Sequence, residues 1–384
     1  MTVADAEGVA SDPTPRFRRT EPSPYGRPPL ARARYAPYNN PNVRSPSAYM
    51  EIRRLSLEEW GAALPADGFE VFHTPEALAT LEEHARGDLR LYGGFKGEEP
   101  VGLAPLFVRE QRIGTAVLSP PPGFGVPRLG PLVMPTSPKQ RKRERVNARF
   151  AEGLLEEFDV EASTTLFRMI CPTSYPDPRP FGWSKLSMEP SFTYHLSADG
   201  DTDALLKSFS KSLRREIRDA EEMDISVEVG GSDAVRRVYE QARDRYDEQD
   251  RGFTHTWPYV RDLTDALAAA DRCRPYVVRD GDGEFLSGIV VLYSNDAAYF
   301  WLGGAIATLD GTSVNSYLHW RIIEDIADGE PLESVDTYDL MGANTERICR
   351  YKSKFGASLV PYYTVESNGA GMRAAKTAYR LMSR

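Results

Sequence analysis

The chain has 384 residues, of which 41% are hydrophobic and 27% are charged, and its formal net charge at pH 7 is −9. This composition is typical of a folded protein of about two domains at roughly 150 residues each, which excludes a wholly disordered chain. The acidic surplus argues against a protein that coats nucleic acid, although a local basic site for a phosphorylated ligand stays open.

Three further features narrow the class of protein. No apolar stretch approaches the roughly 20 residues that a membrane-spanning helix needs. The first residues lack the basic-then-apolar order of a signal peptide, so we expect a cytoplasmic protein. Cys171, Cys273 and Cys349 show no CxxC spacing and no neighbouring histidine at metal spacing, which argues against both a disulfide framework and a metal site.

The N-terminal part of the chain predicts a tail followed by two short helices. Residues 1–48 are rich in Pro and Arg without apolar periodicity, so we expect a disordered tail. Ser56 and Glu59 have capping-box spacing at the start of a first helix. Thr74 precedes Pro75, a residue pair typical of the start of a second helix.

The first half then predicts a hairpin, a long turn, a helix and a strand. The proposed segments are strands 89–95 and 100–109, the Pro/Gly-rich turn 119–135, helix 137–158 and strand 165–171. A turn of this length with several Pro and Gly residues is either a functional loop or a rigid crossing.

The second half repeats that order, which favours an internal duplication. Its proposed segments are strands 274–279 and 285–293 in a hairpin, strand 298–305, helix 311–327 and strand 337–341. Between the halves, residues 203–222 and 233–270 predict helices, and residues 190–197 predict the strand or linker that opens the second domain.

Residues 337–360 form the most specific part of the chain. A strand that ends in Asp339 and Gly342 is followed by an aromatic-Lys-x-x-Phe-Gly segment that begins at Tyr351. This pattern resembles the end of the FemA/FemB-like branch of the GNAT acyltransferases. A second similar element is the basic helix with Arg214, Arg215 and Arg218, and a third is the duplication itself, since these proteins contain two GNAT-like domains.

The resemblance implies an α+β fold with two tandem GNAT-like domains, each a mixed β-sheet flanked by helices. We therefore expect a disordered tail at 1–48, domains at 49–190 and 191–368, and a C-terminal helical tail at 369–384. The resemblance also implies that the protein is an acyltransferase that acts on an amine of a small molecule or of a cell-envelope or polysaccharide precursor. The donor would be acetyl-CoA or aminoacyl-tRNA, used as a substrate and not as a tightly bound cofactor.

Two departures from the family bear on the donor. The segment 233–270 is too short for the coiled-coil arm of tRNA-using members and lacks a sustained heptad, so tRNA is the less favoured partner. The pyrophosphate loop of ordinary GNAT enzymes has only Gly311 in its place, within residues 305–314. The alternative function is therefore a catalytically degenerate tandem-GNAT protein that binds a sugar or a peptide.

The resemblance implies a catalytic group of three residues, Lys352, Tyr351 and Asp339. Lys352 would stabilise a developing oxyanion or a phosphate, and its alternative interpretation is a solvated loop lysine. Asp339 would either accept a proton from the amine or cap the following turn.

Five further residues are candidates for substrate binding. They are Arg214, Arg218, Trp301, Asn315 and His255. The two arginines share a helix face that suits a phosphate but also have acidic neighbours. Trp301 and His255 are as compatible with core packing as with a cleft, and Asn315 lies on the helix that follows Gly311. We expect the active cleft where the 214–218 helix, Asp339 and the 351–355 segment converge.

Overall fold

The structure is a computed structural model that describes residues 50–112, 114–160, 164–250 and 252–368. All of these residues belong to one compact unit. The predicted tails at 1–48 and 369–384 lie outside the described residues. Within the described ranges, no helix combines the length and the apolar character that crossing a membrane requires.

The described part of the chain contains fifteen β-strands and ten α-helices. The strands are β1 (Glu51–Leu55), β2 (Asp88–Lys96), β3 (Glu99–Gln111), β4 (Gly114–Ser119), β5 (Leu132–Val133), β6 (Thr165–Ile170), β7 (Ser187–Ser197), β8 (Ile225–Val229), β9 (Cys273–Asp280), β10 (Phe285–Tyr293), β11 (Ala297–Gly303), β12 (Thr308–Leu309), β13 (Thr312–Ser313), β14 (Thr337–Asp339) and β15 (Ser358–Glu366). The helices are α1 (Leu57–Ala63), α2 (Pro75–His84), α3 (Gln140–Glu157), α4 (Arg179–Trp183), α5 (Thr202–Ser208), α6 (Lys211–Glu221), α7 (Ser232–Glu248), α8 (Trp257–Ala268), α9 (Val314–Ala327) and α10 (Glu346–Lys352).

Thirteen of the strands form one mixed sheet. Its order is β1-β2-β3-β4-β6-β15-β7-β14-β11-β10-β9-β8, and β5 pairs with β3. Two neighbouring pairs are parallel, β4 with β6 and β11 with β14, and the other pairs are antiparallel. The fold is therefore a mixed α/β structure built on a single large sheet.

The sheet contains two sets of six strands with the same order of directions. In one set β1, β2, β3 and β4 are antiparallel neighbours, β4 is parallel to β6, and β6 is antiparallel to β15. In the other set β8 to β11 are antiparallel neighbours, β11 is parallel to β14, and β14 is antiparallel to β7. The two sets join where β15 pairs with β7.

The join between the two sets crosses the predicted domain boundary. Strand β7 runs through residue 190, and β15, which belongs to the predicted second domain, pairs with β6 of the predicted first domain. The boundaries at 190 and 368 stay predictions, because the described residues form one continuous sheet.

Several local predictions are confirmed. Ser56 accepts a hydrogen bond from the Glu59 N–H at 3.2 Å, and the Glu59 carboxylate accepts one from the Ser56 N–H at 2.8 Å, which is the predicted capping box of α1. Thr74 caps α2, with Pro75 in its first turn. Both predicted hairpins are present, as β2–β3 and β9–β10.

Two predicted helices are each divided in the structure. The segment 203–222 forms α5 and α6, which are separated by Phe209 and Ser210. The Ser210 side chain accepts from the Leu213 N–H, and this hydrogen bond starts a new helix there. The segment 233–270 forms α7 and α8, joined by an aromatic loop.

Three apolar clusters fill the space between the sheet and the helices. The first cluster includes residues of α2, α7 and α8 together with strands from both sets. The second lies between α6, α9 and the strands β9 to β11 and β14. The third lies between α3 and the strands β3, β4 and β6. Cys171 and Cys273 are buried free thiols, as expected of small core residues.

Candidate active site

Strands β11 and β14 separate after a short parallel ladder. Their last paired residues are Tyr299 and Asp339. Beyond this point the N–H groups of Leu340 and Ala343 donate to carbonyl oxygens of β7, at 2.9 Å each, and not to β11. In the described part of the chain, no backbone hydrogen bond joins residues 300–303 with residues 340–344. We call this opening the β11–β14 fork.

The corresponding opening in the first set of strands is filled by its own chain. The ladder between β4 and β6 ends at Ser119, and the chain then returns so that the N–H groups of Leu129 and Gly130 both donate to Ile170 O, at 3.1 and 2.8 Å. A Cβ atom at Gly130 would lie 2.9 Å from that oxygen, so the close approach requires glycine. Of these two openings, the one between β4 and β6 is closed by backbone hydrogen bonds, and within the described residues the β11–β14 fork is not.

Lys352 spans the β11–β14 fork from the end of α10. Its Nζ donates to Met341 O and lies 3.4 Å from Gly342 O, on the β14 side of the fork. On the β11 side, Nζ lies 5.4 Å from the ring centroid of Phe300. Burial lowers the pKa of Lys352 to about 8, against the opposing charge of Asp339. The ammonium group is therefore buried at the mouth of the fork and titrates close to neutral pH.

A buried ion network lies at the base of the fork. Arg128 donates from Nε and Nη2 to the two carboxylate oxygens of Glu70, at 2.7 and 2.9 Å. Its Nη2 also donates to Asp339 Oδ2 at 2.5 Å. All three side chains are at most 3% exposed. The network therefore ties the segment before α2, the turn after β4 and the end of β14 to one another.

Asp339 uses both of its oxygens within the protein. Oδ1 accepts from Thr193 Oγ1 at 2.5 Å and from the Met341 N–H at 2.7 Å, and His195 Nε2 lies 3.4 Å from Oδ2. Burial alone would raise the pKa of Asp339, but the charge of Arg128 holds it below the usual range. The hydrogen bond from the Met341 N–H matches the turn-capping interpretation, and the predicted role of Asp339 as a proton acceptor stays a prediction.

Tyr351 is packed among aromatic side chains beside Lys352. Its ring packs against Phe355 and His319, with centroids 5.5 and 6.2 Å apart. Burial raises the pKa of its hydroxyl to about 12, so the phenol is neutral at physiological pH. No contact with the fork assigns it to the reaction, and its predicted catalytic role stays a prediction.

Helix α6 meets the 351–355 segment through a residue that the sequence did not single out. Glu216 pairs with Lys354 at 3.0 Å and accepts a hydrogen bond from Ser316 Oγ at 2.7 Å. Arg214 instead donates to Lys207 O at 3.3 Å, and Arg218 is exposed. Helix α6 therefore contacts this segment through Glu216, and the binding of an anionic ligand by Arg214 and Arg218 stays a prediction.

Trp301 and His255 lie together near the turn after β4. Trp301 Nε1 donates to Gly125 O at 3.1 Å, and the ring centroids of Trp301 and His255 are 6.3 Å apart. His255 also stacks on Phe253, and burial lowers its pKa to about 4, so the imidazole is neutral at pH 7. These contacts match the packing interpretation of both residues.

Trp301 and Lys352 belong to different sides of the sheet. Trp301 packs with the first apolar cluster, whereas Phe300, beside Lys352, packs with the second. The register between β10 and β11 shifts here, so that Trp301 is an additional residue in a β-bulge. The structure therefore does not bring Trp301 and His255 to the side of the sheet that holds Lys352.

The side-chain amide of Asn315 is occupied within the protein. Its Oδ1 accepts from the Ala307 N–H at 2.8 Å, and its Nδ2 donates to Ser287 Oγ and Ala305 O at 3.1 Å each. These bonds hold the segment that precedes α9. A substrate contact would have to replace one of them, so substrate binding by Asn315 stays a prediction.

Sequence reasoning missed Glu70, Arg128 and His195. Arg128 lies within the Pro/Gly-rich turn that was singled out, where it is a lone charge among Val126, Leu129 and prolines. Glu70 is similarly a lone charge between Phe69 and Val71. A single charged residue inside an apolar run is the sequence signal that could have indicated the buried Glu70–Arg128 pair. A charge in such a run is buried with its neighbours, and a buried charge needs a partner.

The comparisons with known proteins agree with this geometry. Residues 207–353 match the family model of the acetyltransferase (GNAT) domain. The match confirms the predicted resemblance for this segment, which contains the β11–β14 fork and ends just after Lys352. It covers less than half of the chain, and no curated protein matches the sequence.

Solved structures extend the similarity as a fold. A crystal structure of FemX is 12% identical, with a TM-score of 0.61, and the alignment covers 82% of this chain and 96% of that chain. The structure of L-PGS from Bacillus licheniformis is 12% identical over 83% of this chain and 99% of that chain, with a TM-score of 0.48. A tandem GNAT protein from the clavulanic acid biosynthesis pathway is 13% identical over 84% and 99%, with a TM-score of 0.47. The fold similarity to FemX therefore includes both sets of strands.

Proposed function

We propose that this protein is an acyltransferase of the FemA/FemB-like type. It transfers an acyl or aminoacyl group from acetyl-CoA or aminoacyl-tRNA to an amine of a small molecule or of a cell-envelope precursor. The observation that carries the proposal is the open β11–β14 fork with Lys352 buried across it, inside the segment that matches the GNAT domain. We infer further that the chain consists of two GNAT-like units and that the second one holds the donor.

The fork supplies groups that acyl transfer requires. Where β11 and β14 part, no backbone hydrogen bond joins residues 300–303 with residues 340–344 in the described part of the chain, so a donor can enter and pair with the edge of β11 there. A backbone N–H in such a position stabilises negative charge on the carbonyl oxygen of a thioester or ester. The ammonium of Lys352 lies at the same opening and can stabilise that charge or give a proton to the departing sulfur or oxygen.

The filled opening between β4 and β6 supports a single donor site. A donor would have to displace Leu129 and Gly130 from Ile170 to enter there. No comparable backbone contact within the described residues closes the β11–β14 fork. The first unit therefore contributes Glu70 and Arg128 to the base of the site while the second unit contributes the fork.

The donor is tested first by binding. Native mass spectrometry and thermal-shift measurements with acetyl-CoA, other acyl-CoA thioesters and charged tRNA should detect one class of donor. A positive donor is then used in radiolabelled transfer to pools of primary amines. If no donor binds and sugars or peptides do, the proposal is wrong and a binding protein is the better interpretation.

Lys352→Ala tests the chemistry of the site. We expect transfer to fall about tenfold or more, which corresponds to at least about 1.4 kcal/mol of transition-state stabilisation. Lys354→Ala is the matched control, because this lysine belongs to the same segment but pairs with Glu216. Equal turnover in Lys352→Ala and the unsubstituted protein would remove Lys352 from the mechanism.

A further inference from the structure

A pocket of about 110 Å³ lies beside the ion network on the first-cluster side of the sheet. Glu70 and the preceding Gly68 line one side of it, and His195, Tyr299 and Thr337 line the side formed by the sheet. Tyr299 is the last β11 residue before the fork, and His195 is the register partner of Asp339 on β7. The pocket therefore lies along the closed β11–β14 ladder and reaches Tyr299, the residue after which the fork begins.

We propose that this pocket binds the amine of the acceptor and that His195 takes the proton that the amine loses. The proposal rests on the proposed acyl transfer and assigns the acceptor side of the same reaction. His195 is the catalytic residue in this assignment, and Asp339 is a positioning residue that acts through it.

The surroundings of His195 favour one arrangement of its two ring nitrogens. Nε2 faces the anionic Asp339 carboxylate at 3.4 Å, which favours the proton on Nε2 and leaves the lone pair on Nδ1. No group in the described part of the chain bonds Nδ1. The contact is longer than an ordinary hydrogen bond, and substrate binding can shorten a contact of this kind.

His195 and Asp339 differ in how far their side chains are exposed to solvent. The Asp339 side chain is 0% exposed, whereas the His195 side chain is 24% exposed and lines the pocket. The buried Asp339 oxygens are held by Arg128, Thr193 and a backbone N–H, so the carboxylate cannot turn towards a ligand. Of these two side chains, only the imidazole of His195 is accessible to a substrate, and its position is set by Asp339.

The charge around the pocket suits a basic ligand. Glu70 and Asp339 carry two negative charges, which Arg128 and the nearby ammonium of Lys352 balance, so the network itself is close to neutral. Asp296 adds a second carboxylate to the pocket lining. The two carboxylates of the lining, Glu70 and Asp296, attract a cationic amine.

The proposed acyl transfer forms one bond, breaks one bond and moves two protons at the site. The bound ammonium first gives one proton to water. The neutral amine then forms a C–N bond to the donor carbonyl carbon while the C–S bond of a thioester, or the C–O bond of an ester, breaks. The proton that the nitrogen loses moves to Nδ1 of His195. The departing sulfur or oxygen takes a proton from Lys352, and both side chains exchange their protons with water afterwards. Lys352 lies on the second-cluster side, so donor and acceptor meet from opposite faces of the sheet.

The first test compares His195→Gln with His84→Gln. His84 is a matched control, since it also faces a carboxylate, Asp262, at 2.8 Å and is similarly exposed, but it lies between α2 and α8, outside the pocket. With the donor and amine identified by the binding screen, we expect His195→Gln to lose about 10²-fold or more in transfer, the usual contribution of a general base. Donor binding should be unchanged in both variants, and His84→Gln should transfer normally.

The pH–rate profile and chemical rescue separate a proton acceptor from a merely structural residue. The acid limb of the profile should disappear in His195→Gln and shift in Asp339→Asn. His195→Ala should regain activity when free imidazole is added. Transfer in His195→Gln within threefold of the unsubstituted protein would overturn the inference while leaving acyl transfer itself intact.

A second measurement needs no donor. Nitrogen-15 NMR of the histidines, with His195 assigned by its loss in His195→Gln, should show the proton on Nε2 and a lone pair on Nδ1. Addition of n-butylamine as a probe should shift the His195 signals and leave the His84 signals in place. A proton on Nδ1, or no response to the amine, would overturn the inference whichever donor the protein uses.

Discussion

Arg128 joins distant parts of the chain, because its guanidinium pairs with both Glu70 and Asp339 in a region that water does not reach. Removal of one partner from such a group leaves a buried charge uncompensated. We expect Arg128→Met to lower the free energy of unfolding by roughly 3–5 kcal/mol. Urea unfolding followed by fluorescence measures this loss.

Arg53→Met is the matched control for that experiment. Arg53 pairs with Glu59 at 3.3 Å, but both side chains are more than 40% exposed. Exposed pairs contribute about 1 kcal/mol or less, so the control should unfold at nearly the original urea concentration. Equal effects of the two substitutions would contradict the account of the buried network.

Lys352 should make stability depend on pH in the alkaline range. Its pKa is about 8 in the folded protein and has an ordinary value of 10.5. Between these values the unfolded chain binds more protons than the folded one, so the free energy of unfolding rises with pH. Lys352→Met lacks this contribution.

We therefore expect the stability of the unsubstituted protein, relative to Lys352→Met, to increase as the pH is raised from 8 to 10. Urea unfolding of both proteins at several pH values measures the difference. Lys354→Met serves as the control, because Lys354 is partly exposed and pairs with Glu216. A difference that stays constant over this range would contradict the burial of a titrating Lys352.

Helix α3 begins without the features that stabilise a helix N-terminus. Its N-cap residue, Lys139, makes no side-chain hydrogen bond to the first turn, and that turn contains no acidic residue. Arg141 and Lys142 follow at once, although the N-terminal end of a helix carries partial positive charge. Helix α1 shows the opposite case, with Ser56 in a complete capping box.

Two substitutions test this contrast between helices. Lys139→Asp should raise the free energy of unfolding by about 1 kcal/mol, and Ser56→Ala should lower it by about 1 kcal/mol. Lys96→Asp, at the exposed last residue of β2, is the charge-matched control and should lower the free energy of unfolding by less than about 1 kcal/mol, because it affects only the cross-strand pair with Glu99. A loss of stability in Lys139→Asp would show that the lysine has a role beyond the helix.

Most helices and hairpins, whose partners lie nearby in the sequence, could be predicted. Strands that pair only with strands far away in the sequence could not. Hairpins and amphipathic helices have their partners within a few residues or on one face, so spacing reveals them. β1, β4, β8 and β15 were not predicted as strands. β15 contains Pro361, and it pairs with strands that lie more than 160 residues earlier in the chain.

In the candidate active site, too, the residues that lie close together in the sequence could be predicted and those that meet across long separations could not. Asp339 and Lys352 lie in one short motif and were singled out, and the structure joins both of them to Met341. The contact between Arg128 and Asp339 spans 211 residues, and no spacing rule predicts a pair at that separation. Proximity of His195 to Asp339 follows only from the pairing of β7 with β14, which the sequence did not reveal.

At the scale of the whole molecule, β15 is the strand that joins the two sets. It pairs with β6 on one side and with nine residues of β7 on the other. Removal of this strand would leave two unpaired strand edges in the middle of the sheet. The two sets should therefore unfold as one unit.

Truncation tests this interdependence. A chain that ends after Ala357 lacks β15, and we expect a much lower melting temperature and rapid proteolysis on both sides of the gap. A chain that ends after residue 368 keeps β15 and is the matched control, with the melting temperature of the full chain. Two separate transitions in the full chain, or an unchanged melting temperature after loss of β15, would contradict the prediction.

The position of β15 also has a consequence for how the protein is made. A ribosome releases β6 and β7 long before residue 366, so both strands wait with open edges while more than 150 residues are synthesised. During that interval the nascent chain exposes two templates for pairing with other chains. We expect newly made chains to depend on chaperones until the last strand has emerged, and slower translation of the second half to increase their aggregation.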